Sequence, residues 1–414
     1  MTRDTSHFVS PRRPLYMKTN SHAASPSPAS SSSAPRVVVL GGGYAGLVAA
    51  LRLAPAARVT LVDPGDGFTE RVRLHQLAAG RPGVTHPYSG LLRGTGIEHV
   101  AARAADLDLQ ARSVRTDDGR TLSYDRLVYA LGSVTDTSGV EDAQDTGQLI
   151  HTAESAGALH QRLVGAPGRV SVVGGGLTGI ELAAEIAEAH PAWEVRLLTS
   201  DVVGAGLSVR GRAHVYEVFR GLGVRVEEGR RVASAGEVDA DAVVWAAAMR
   251  PVTGLAARAG LALDAAGRIA IDGTARSVTD PAVYAAGDAA GTGIRMACAV
   301  SLPMGLYVAA SVRADLQGRR SQLRPFHYGF VGQCISLGRR DGLLQLVRSD
   351  DSPRSAVLTG RPAAFVKERV VRGTVFALRA AAAGARRGRL GAASGADACG
   401  TDVHGAAPAG ACGR

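Results

Sequence analysis

The residues best placed to do chemistry in this chain are glycines. Gly41-Gly42-Gly43-Tyr44-Ala45-Gly46 follows the unbroken apolar run Val37 to Leu40 and precedes the helix-forming stretch Leu47 to Leu53. Such a run reads as a central parallel strand buried on both faces. The spacing Gly41, Gly43, Gly46 permits, in turn, a tight strand-to-helix bend, close approach of backbone to a pyrophosphate, and close packing of helix on strand. The helix N-terminus, where Tyr44 and Ala45 fall, then faces the phosphates. After the next strand, Arg58 to Val62, comes Asp63, near the offset of about 20 residues expected of a ribose-binding carboxylate. An acid there favours a free 2′-hydroxyl.

The pattern occurs twice. Val170 to Val173 is a strand, Gly174-Gly175-Gly176-Leu177-Thr178-Gly179 repeats the glycine spacing, Ile180 to Ala189 is a helix, and Glu194 to Leu198 is the following strand. One such turn occurs by chance; two complete units imply two dinucleotides, or one dinucleotide and one relic site. In the second unit Thr199 takes the place that Asp63 holds in the first. A carboxylate repels a 2′-phosphate, whereas Thr neither repels it nor offers it a positive partner. Asp201 could serve if the turn is longer, and Arg210 or Arg212 could reach a phosphate. The choice between NADH and NADPH leans to NADH, because no Arg immediately follows the strand.

The elements that must position these turns fit within 414 residues, room for two or three domains. No run approaches the roughly 18 to 20 apolar residues of a membrane span. The N-terminus carries charges and serines without an apolar run, so we read the chain as cytoplasmic. Four cysteines without CxxC, CxxxxC or CxxCH spacing give no metal, redox-disulfide or haem signature. The formal charge of +10 gathers near the two ends, on Arg3, Arg12, Arg13 and Lys18 and on the cations between Arg361 and Arg389. The body between is close to neutral, which argues against nucleic acid and leaves an anionic lipid surface or an acidic partner for the ends.

Residues 1–35, almost wholly Ser, Ala and Pro in their second half, read as a disordered leader. A short turn then leads into a helix holding Arg71, Arg73 and His75; a β-meander turns at Asp117-Asp118-Gly119; and the strand Tyr124 to Tyr129 ends in Ala130-Leu131-Gly132-Ser133. Further strands are expected over Ala242–Ala247, Arg268–Asp272 and Ala282–Ala286, the last running into Gly287-Asp288. Met296–Leu316 reads as a helix interrupted by Pro303, Phe326–Val347 as strands, Ala363–Ala383 as a basic amphipathic helix, and 391–414 as a disordered tail.

Together these motifs resemble the pyridine nucleotide-disulfide reductase superfamily, flavoproteins with two dinucleotide-binding domains. The resemblance rests on Gly41 to Asp63, on Tyr124 to Ser133 (similar to a YDxLVxATG motif, with Leu131 replacing Thr), on Gly174 to Gly179, and on Val283-Tyr284-Ala285-Ala286-Gly287-Asp288. It implies an α/β fold: two Rossmann-like, three-layer ββα domains, the second inserted in the first, plus a small α+β C-terminal domain. FAD would take 36–150 with 268–320, NAD(P)H 151–267, and an interface domain 321–390. FAD would lie on Gly41, Gly43, Tyr44, Ala45, Gly46, Asp63, Arg71, Ala130, Gly132, Gly287 and Asp288. The nicotinamide cofactor would lie on Gly174, Gly176, Leu177, Thr178, Gly179 and Thr199, with Glu181 near the nicotinamide; a first-turn acid that merely suits the helix dipole is the plainer reading of Glu181.

The departures from the family pattern bear on the chemistry. The redox cysteines of the disulfide reductases would fall between Pro64 and Gly80, and no cysteine is there. Electrons must therefore leave the flavin directly for a quinone, oxygen, an artificial acceptor or an iron-sulfur partner. That points to the branch resembling type II NADH dehydrogenases and apoptosis-inducing-factor-like proteins, although the glutamine pair of quinone-reducing members is missing from Arg295 to Gly305. Candidate catalytic groups are Glu181, His75 as a proton donor, and Cys298 as a thiol on the flavin-facing helix; packing roles compete for the last two. The implied function is an FAD-dependent NAD(P)H oxidoreductase. A reductase of a small ferredoxin-type protein and a low-turnover flavin sensor are the alternatives. The helix 363–383 could lie on the inner face of the membrane, on its own domain, or on a homodimer partner.

Overall fold

The computed structural model describes residues 34–140, 148–149 and 151–397, with side chains left out at 148–149 and from 390 onward. The leader up to Ser33, Cys399 and Cys412 lie outside the described residues. Apolar Val37 to Leu40 form the core of β1 (Arg36–Leu40), which pairs in parallel with β2 (Arg58–Val62) on one side and with Arg126–Tyr129 on the other. Glu98–Val100 and Val283–Ala285 complete a five-stranded, all-parallel sheet. Between β1 and β2 runs α1 (Tyr44–Leu53), almost wholly buried. The meander forms as three antiparallel strands, Ala104–Asp108, Ser113–Thr116 and Thr121–Ser123, whose Leu107 and Val114 enter the same core.

The second unit repeats this plan. β3 (Arg169–Val173) lies between Ala242–Trp245 and β4 (Glu194–Leu198), in a second five-stranded parallel sheet closed by Gln148–Leu149 and Arg225–Glu227. The helix between them, α2 (Leu177–Ala189), buries nine of its side-chain positions from Gly179 to Ala187.

The expected strand Arg268–Asp272 is not a strand. Isolated bridges join Leu263 to Ile269, Ile269 to Ala290, and Ile271 to Ser277. Asp264 accepts from Arg268 N at 2.9 Å and Asp272 from Thr274 N at 2.8 Å. These carboxylates close turns locally and compete with an extended ladder.

Pro303 does not interrupt its helix either. α3 (Cys298–Leu316) runs through it, losing one backbone donor, because α3 is clamped on α1: a Cβ on Gly305 would come within 2.3 Å of the Ala45 carbonyl oxygen.

Three antiparallel strands, Gly332–Ser336, Gly342–Val347 and Pro353–Thr359, form the last sheet. α4 (Gly360–Asp397) packs on this sheet and on α1. It extends beyond 383 because its buried stripe, Ala363, Lys367, Val371, Val375, Leu378, Ala382 and Ala385, continues at three- and four-residue intervals. The helix thus reaches into the first residues of the stretch expected to be a tail.

Candidate functional site

The first glycine turn is packed as its spacing demands. A Cβ on Gly46 would stand 1.9 Å from the Gly41 carbonyl oxygen, and one on Gly41, whose φ is +94°, 2.4 Å from the Ala130 carbonyl oxygen. A Cβ on Gly43, by contrast, would meet nothing within 4 Å. α1 has neither a side-chain cap nor an acid in its first turn, so the amides at Tyr44 and Ala45 are open to an anion. Asp63 stands at the end of β2, where Oδ2 accepts from Gly42 N at 2.6 Å and Oδ1 from Gly65 N at 2.9 Å. Tyr88 donates its hydroxyl to the Gly42 carbonyl at 2.8 Å and fixes the turn from below.

Three further motifs converge on this turn. The Gly287 position lies 3.2 Å from Ala45 Cβ, measured from an added Cβ. Asp288 Oδ2 accepts from Ser133 Oγ at 2.7 Å, and Arg71 donates to the Ser133 carbonyl at 2.8 Å. Gly132, with φ +69°, lets the chain turn beneath the Arg71 guanidinium. Cys298 opens α3 within the fields of Arg71, Asp288, Lys367 and Glu181; burial raises its thiol pKa and keeps it protonated.

The second turn has the same construction. A Cβ on Gly179 would approach the Gly174 carbonyl oxygen to 1.9 Å, whereas one on Gly176 would touch nothing within 4 Å. Leu177 and Thr178 open α2 without a side-chain cap. Thr199 is buried and faces Gly175, 2.7 Å from where a Cβ would stand there. Of the cations near this end, Arg230 is engaged by Glu227 and the Glu237 carbonyl. Arg210 and Arg212 make no ion pair among the described residues.

Glu181 does not behave as a surface acid at a helix start. Its Oε1 accepts from Lys367 Nζ at 2.7 Å and from Ser336 N at 2.9 Å, and its Oε2 lies 3.7 Å from His75 Nδ1. Burial alone would raise its pKa, but the Lys367 ammonium, His75 and these hydrogen bonds bring it below the usual carboxylate range. Burial pushes the His75 pKa down to about 4, with Glu181 opposing and Lys367, Arg339 and Arg73 assisting. His75 is therefore a neutral imidazole at pH 7, and can hold a proton at one ring nitrogen only. Its Nε2 lies 3.9 Å from Glu185 Oε1. Burial raises the pKa of Glu185 in spite of its pairing with Arg339.

Lys367 and Ser336 were missed by sequence reasoning. The signal for Lys367 was present: only two of the 47 Lys and Arg residues are lysines, and one of them falls on the buried stripe of an amphipathic helix. Ser336 reaches Glu181 through its backbone amide and Glu185 through its hydroxyl, contacts across more than 150 residues that no local pattern announces.

Residues 35–310 match the profile of the pyridine nucleotide-disulphide oxidoreductases, and the chain belongs to that family of oxidoreductases. An NADH dehydrogenase-like protein of Mycobacterium tuberculosis is 31% identical over 323 residues, covering 68% of this chain and 80% of its own length. The alternative NAD(P)H-ubiquinone oxidoreductase C1 of Arabidopsis thaliana is 27% identical over 379 residues, with 75% and 72% covered. Among solved structures, NDH2 from Plasmodium falciparum in complex with NADH has a TM-score of 0.70 at 13% identity, covering 86% of this chain and 98% of that one; this likeness shows the fold. The resemblance to the type II NADH dehydrogenase branch and the Rossmann-like α/β fold are thereby borne out. The family implies FAD and a pyridine nucleotide. The residues present fit both, since each glycine turn leaves an open cradle at its central glycine and an uncapped helix N-terminus beside it.

Proposed function

We propose that the chain is an FAD-dependent NAD(P)H oxidoreductase that delivers electrons directly to a small acceptor of quinone type, with NADH as its donor and no redox-active disulfide. The observation that carries this reading is the convergence at one place of Gly41–Gly46, Ser133, Gly287-Asp288, Cys298 and the Glu181–Lys367 pair. No cysteine stands in the adjoining stretch 64–80. Bound FAD would supply the redox chemistry, taking a hydride from the nicotinamide and releasing electrons to the acceptor. The chain does the rest. The α1 amides and Gly43 hold phosphate, Asp63 holds the ribose end, and Arg71 and Asp288, joined through Ser133, hold the far end of the flavin. Gly176 and the α2 N-terminus hold the second nucleotide. Lys367 keeps Glu181 ionised, and His75 keeps a proton between Glu181 and Glu185. Cys298, held protonated, is a wall of the site and not its nucleophile.

A quinone-type acceptor is supported by the ubiquinone oxidoreductase among the relatives. NADH is supported by the absence of a free cation directly after β4. Peripheral contact with an anionic membrane is supported by α4, which exposes Phe365, Val370 and Phe376 among Arg361, Arg369, Arg372 and Arg379. Among the described residues no helix is long and apolar enough to cross a membrane.

Anaerobic titration of the yellow protein tests the reading. NADH should bleach the flavin at lower concentration than NADPH, and a menaquinone analogue should restore the colour. If neither nucleotide bleaches it, the oxidoreductase reading falls. If only a ferredoxin restores the colour, the quinone assignment falls.

A further inference from the structure

The N-terminal ends of β1 and β2 lie roughly 15 Å along the strands from the glycine turn at their C-terminal ends. There the described residues line an open cleft of about 560 Å³ that contains none of the residues assigned above to either cofactor. Its walls include Arg36 and Arg58, the first residues of the two strands, and Arg389 from α4. We propose that this cleft is a second anion site, taking the phosphate of a small phosphorylated molecule, either a phosphomonoester or a diphosphate.

The three guanidiniums are not equivalent. Arg36 is occupied: its backbone N donates to Asp125 Oδ2 at 2.6 Å and its side chain pairs with the same carboxylate at 3.3 Å. Arg58 and Arg389 have no side-chain hydrogen bond or ion pair among the described residues. The remaining carboxylate in the walls is Glu98, so two free guanidiniums stand against one acid. Two planar donors of this kind match the geometry of a phosphate dianion better than lysines would.

Arg389 is exposed, but the helix turn that carries it is placed by the fold. The turn before it is docked on both flanks: Arg386 donates to the Arg93 carbonyl at 3.3 Å, and a Cβ on Gly388 would come within 2.8 Å of Pro55 Cβ. The guanidinium itself lies over Gly96, where a Cβ would fall 1.6 Å from Nη1. Gly96 has φ +74°, a backbone conformation that favours glycine there.

The cleft has room for more than a bare phosphate. Val37, Val38 and Val59 are buried in the core beneath the cleft and Leu122 is half-buried, while Thr121 and Ser123 supply hydroxyls beside the cations. A volume of this order lies within the range typical of small-molecule sites. A cationic rim of this kind suits a phosphorylated molecule whose phosphate meets the arginines. A soluble nucleotide and the headgroup of an anionic phospholipid both present that chemistry.

The test uses the full chain loaded with FAD and held in excess NAD⁺, so that the second glycine turn is filled. Calorimetric titration with inorganic pyrophosphate probes the soluble source; flotation with phosphatidic acid vesicles, against phosphatidylcholine vesicles, probes the lipid source. Saturable binding is expected in at least one arm, weakened about tenfold or more in Arg58→Ala/Arg389→Ala and unchanged in Arg115→Ala, an exposed arginine of the meander. Nicotinamide oxidation and thermal midpoint should not move in the double variant, because neither side chain has a partner to lose. The proposal is overturned if neither probe binds, or if binding is indifferent to the loss of Arg58 and Arg389.

Discussion

Lys367 Nζ stands 2.7 Å from Glu181 Oε1, with the two side chains only 10% and 11% exposed. This bond ties the C-terminal helix to the helix that follows the second glycine turn. Removing one member of a buried pair leaves the other charge without compensation, at a cost of about 3–5 kcal/mol. Lys367→Met should therefore lower stability by roughly that amount in urea unfolding, and Lys367→Met/Glu181→Gln should recover most of it. Because Glu181 titrates lower in the folded than in the unfolded chain, its contribution is present at neutral pH. That contribution is lost as the pH falls through the folded value.

His75 predicts a second pH dependence. Its folded pKa of about 4 lies below the unfolded value of 6.5, so between these values the unfolded chain binds the extra proton. Stability from this group is complete above the unfolded pKa and falls as the pH drops toward 4, by a few kcal/mol in all. Glu185, whose pKa is raised, acts in the opposite sense over an overlapping window. The difference between wild type and His75→Gln isolates the histidine: thermal midpoints at pH 7 and pH 5 should diverge less in the variant.

The glycine turns make a paired prediction. Gly179→Ala forces a Cβ against the Gly174 carbonyl oxygen and should disorder the second turn, so that the purified protein stays yellow but no longer oxidises NADH. Gly176→Ala meets nothing in the protein and should fold with an unchanged melting temperature. It should nevertheless bind NADH more weakly, because the methyl group enters the space where the backbone approaches phosphate. Equal melting losses in the two variants would refute this division.

On α4, Phe365 and Phe376 are 60% and 74% exposed, and Arg369 stacks over Phe365 at 5.0 Å. Phe365→Ser/Phe376→Ser should release the protein from anionic vesicles in a sedimentation assay. Each phenylalanine is worth about 1.5–3 kcal/mol if it enters the acyl boundary. Turnover with a soluble quinone should be unchanged.

Both parallel sheets were legible in the sequence because each fingerprint carries its own strand, turn and helix in one short stretch, and apolar runs such as Val37–Leu40 have few other readings. The strand Arg268–Asp272 was misjudged because Asp264 and Asp272 spend their carboxylates on local turns, which apolar patterning does not register. Pro303 misled because the close contact of Gly305 with α1 lies between elements far apart in sequence. At the site, the glycines could be named from spacing, since their roles are set by adjacent backbone, and Asp288 from the resemblance of Gly287-Asp288 to a family motif. Lys367 and Glu181 meet across 186 residues, and only the folded chain shows that the ionised acid is paired there.

α4 spans 38 residues, about 57 Å of helix, with Lys367 near one end on Glu181 and Arg389 near the other beneath the first sheet. It acts as a splint laid across both nucleotide units. A swing of one unit away from the other would have to bend this rod or pull a buried cation from its carboxylate. Truncation at Gly360 would accordingly do more than trim an appendage: it would remove the contact of this helix with both units and let water reach Glu181.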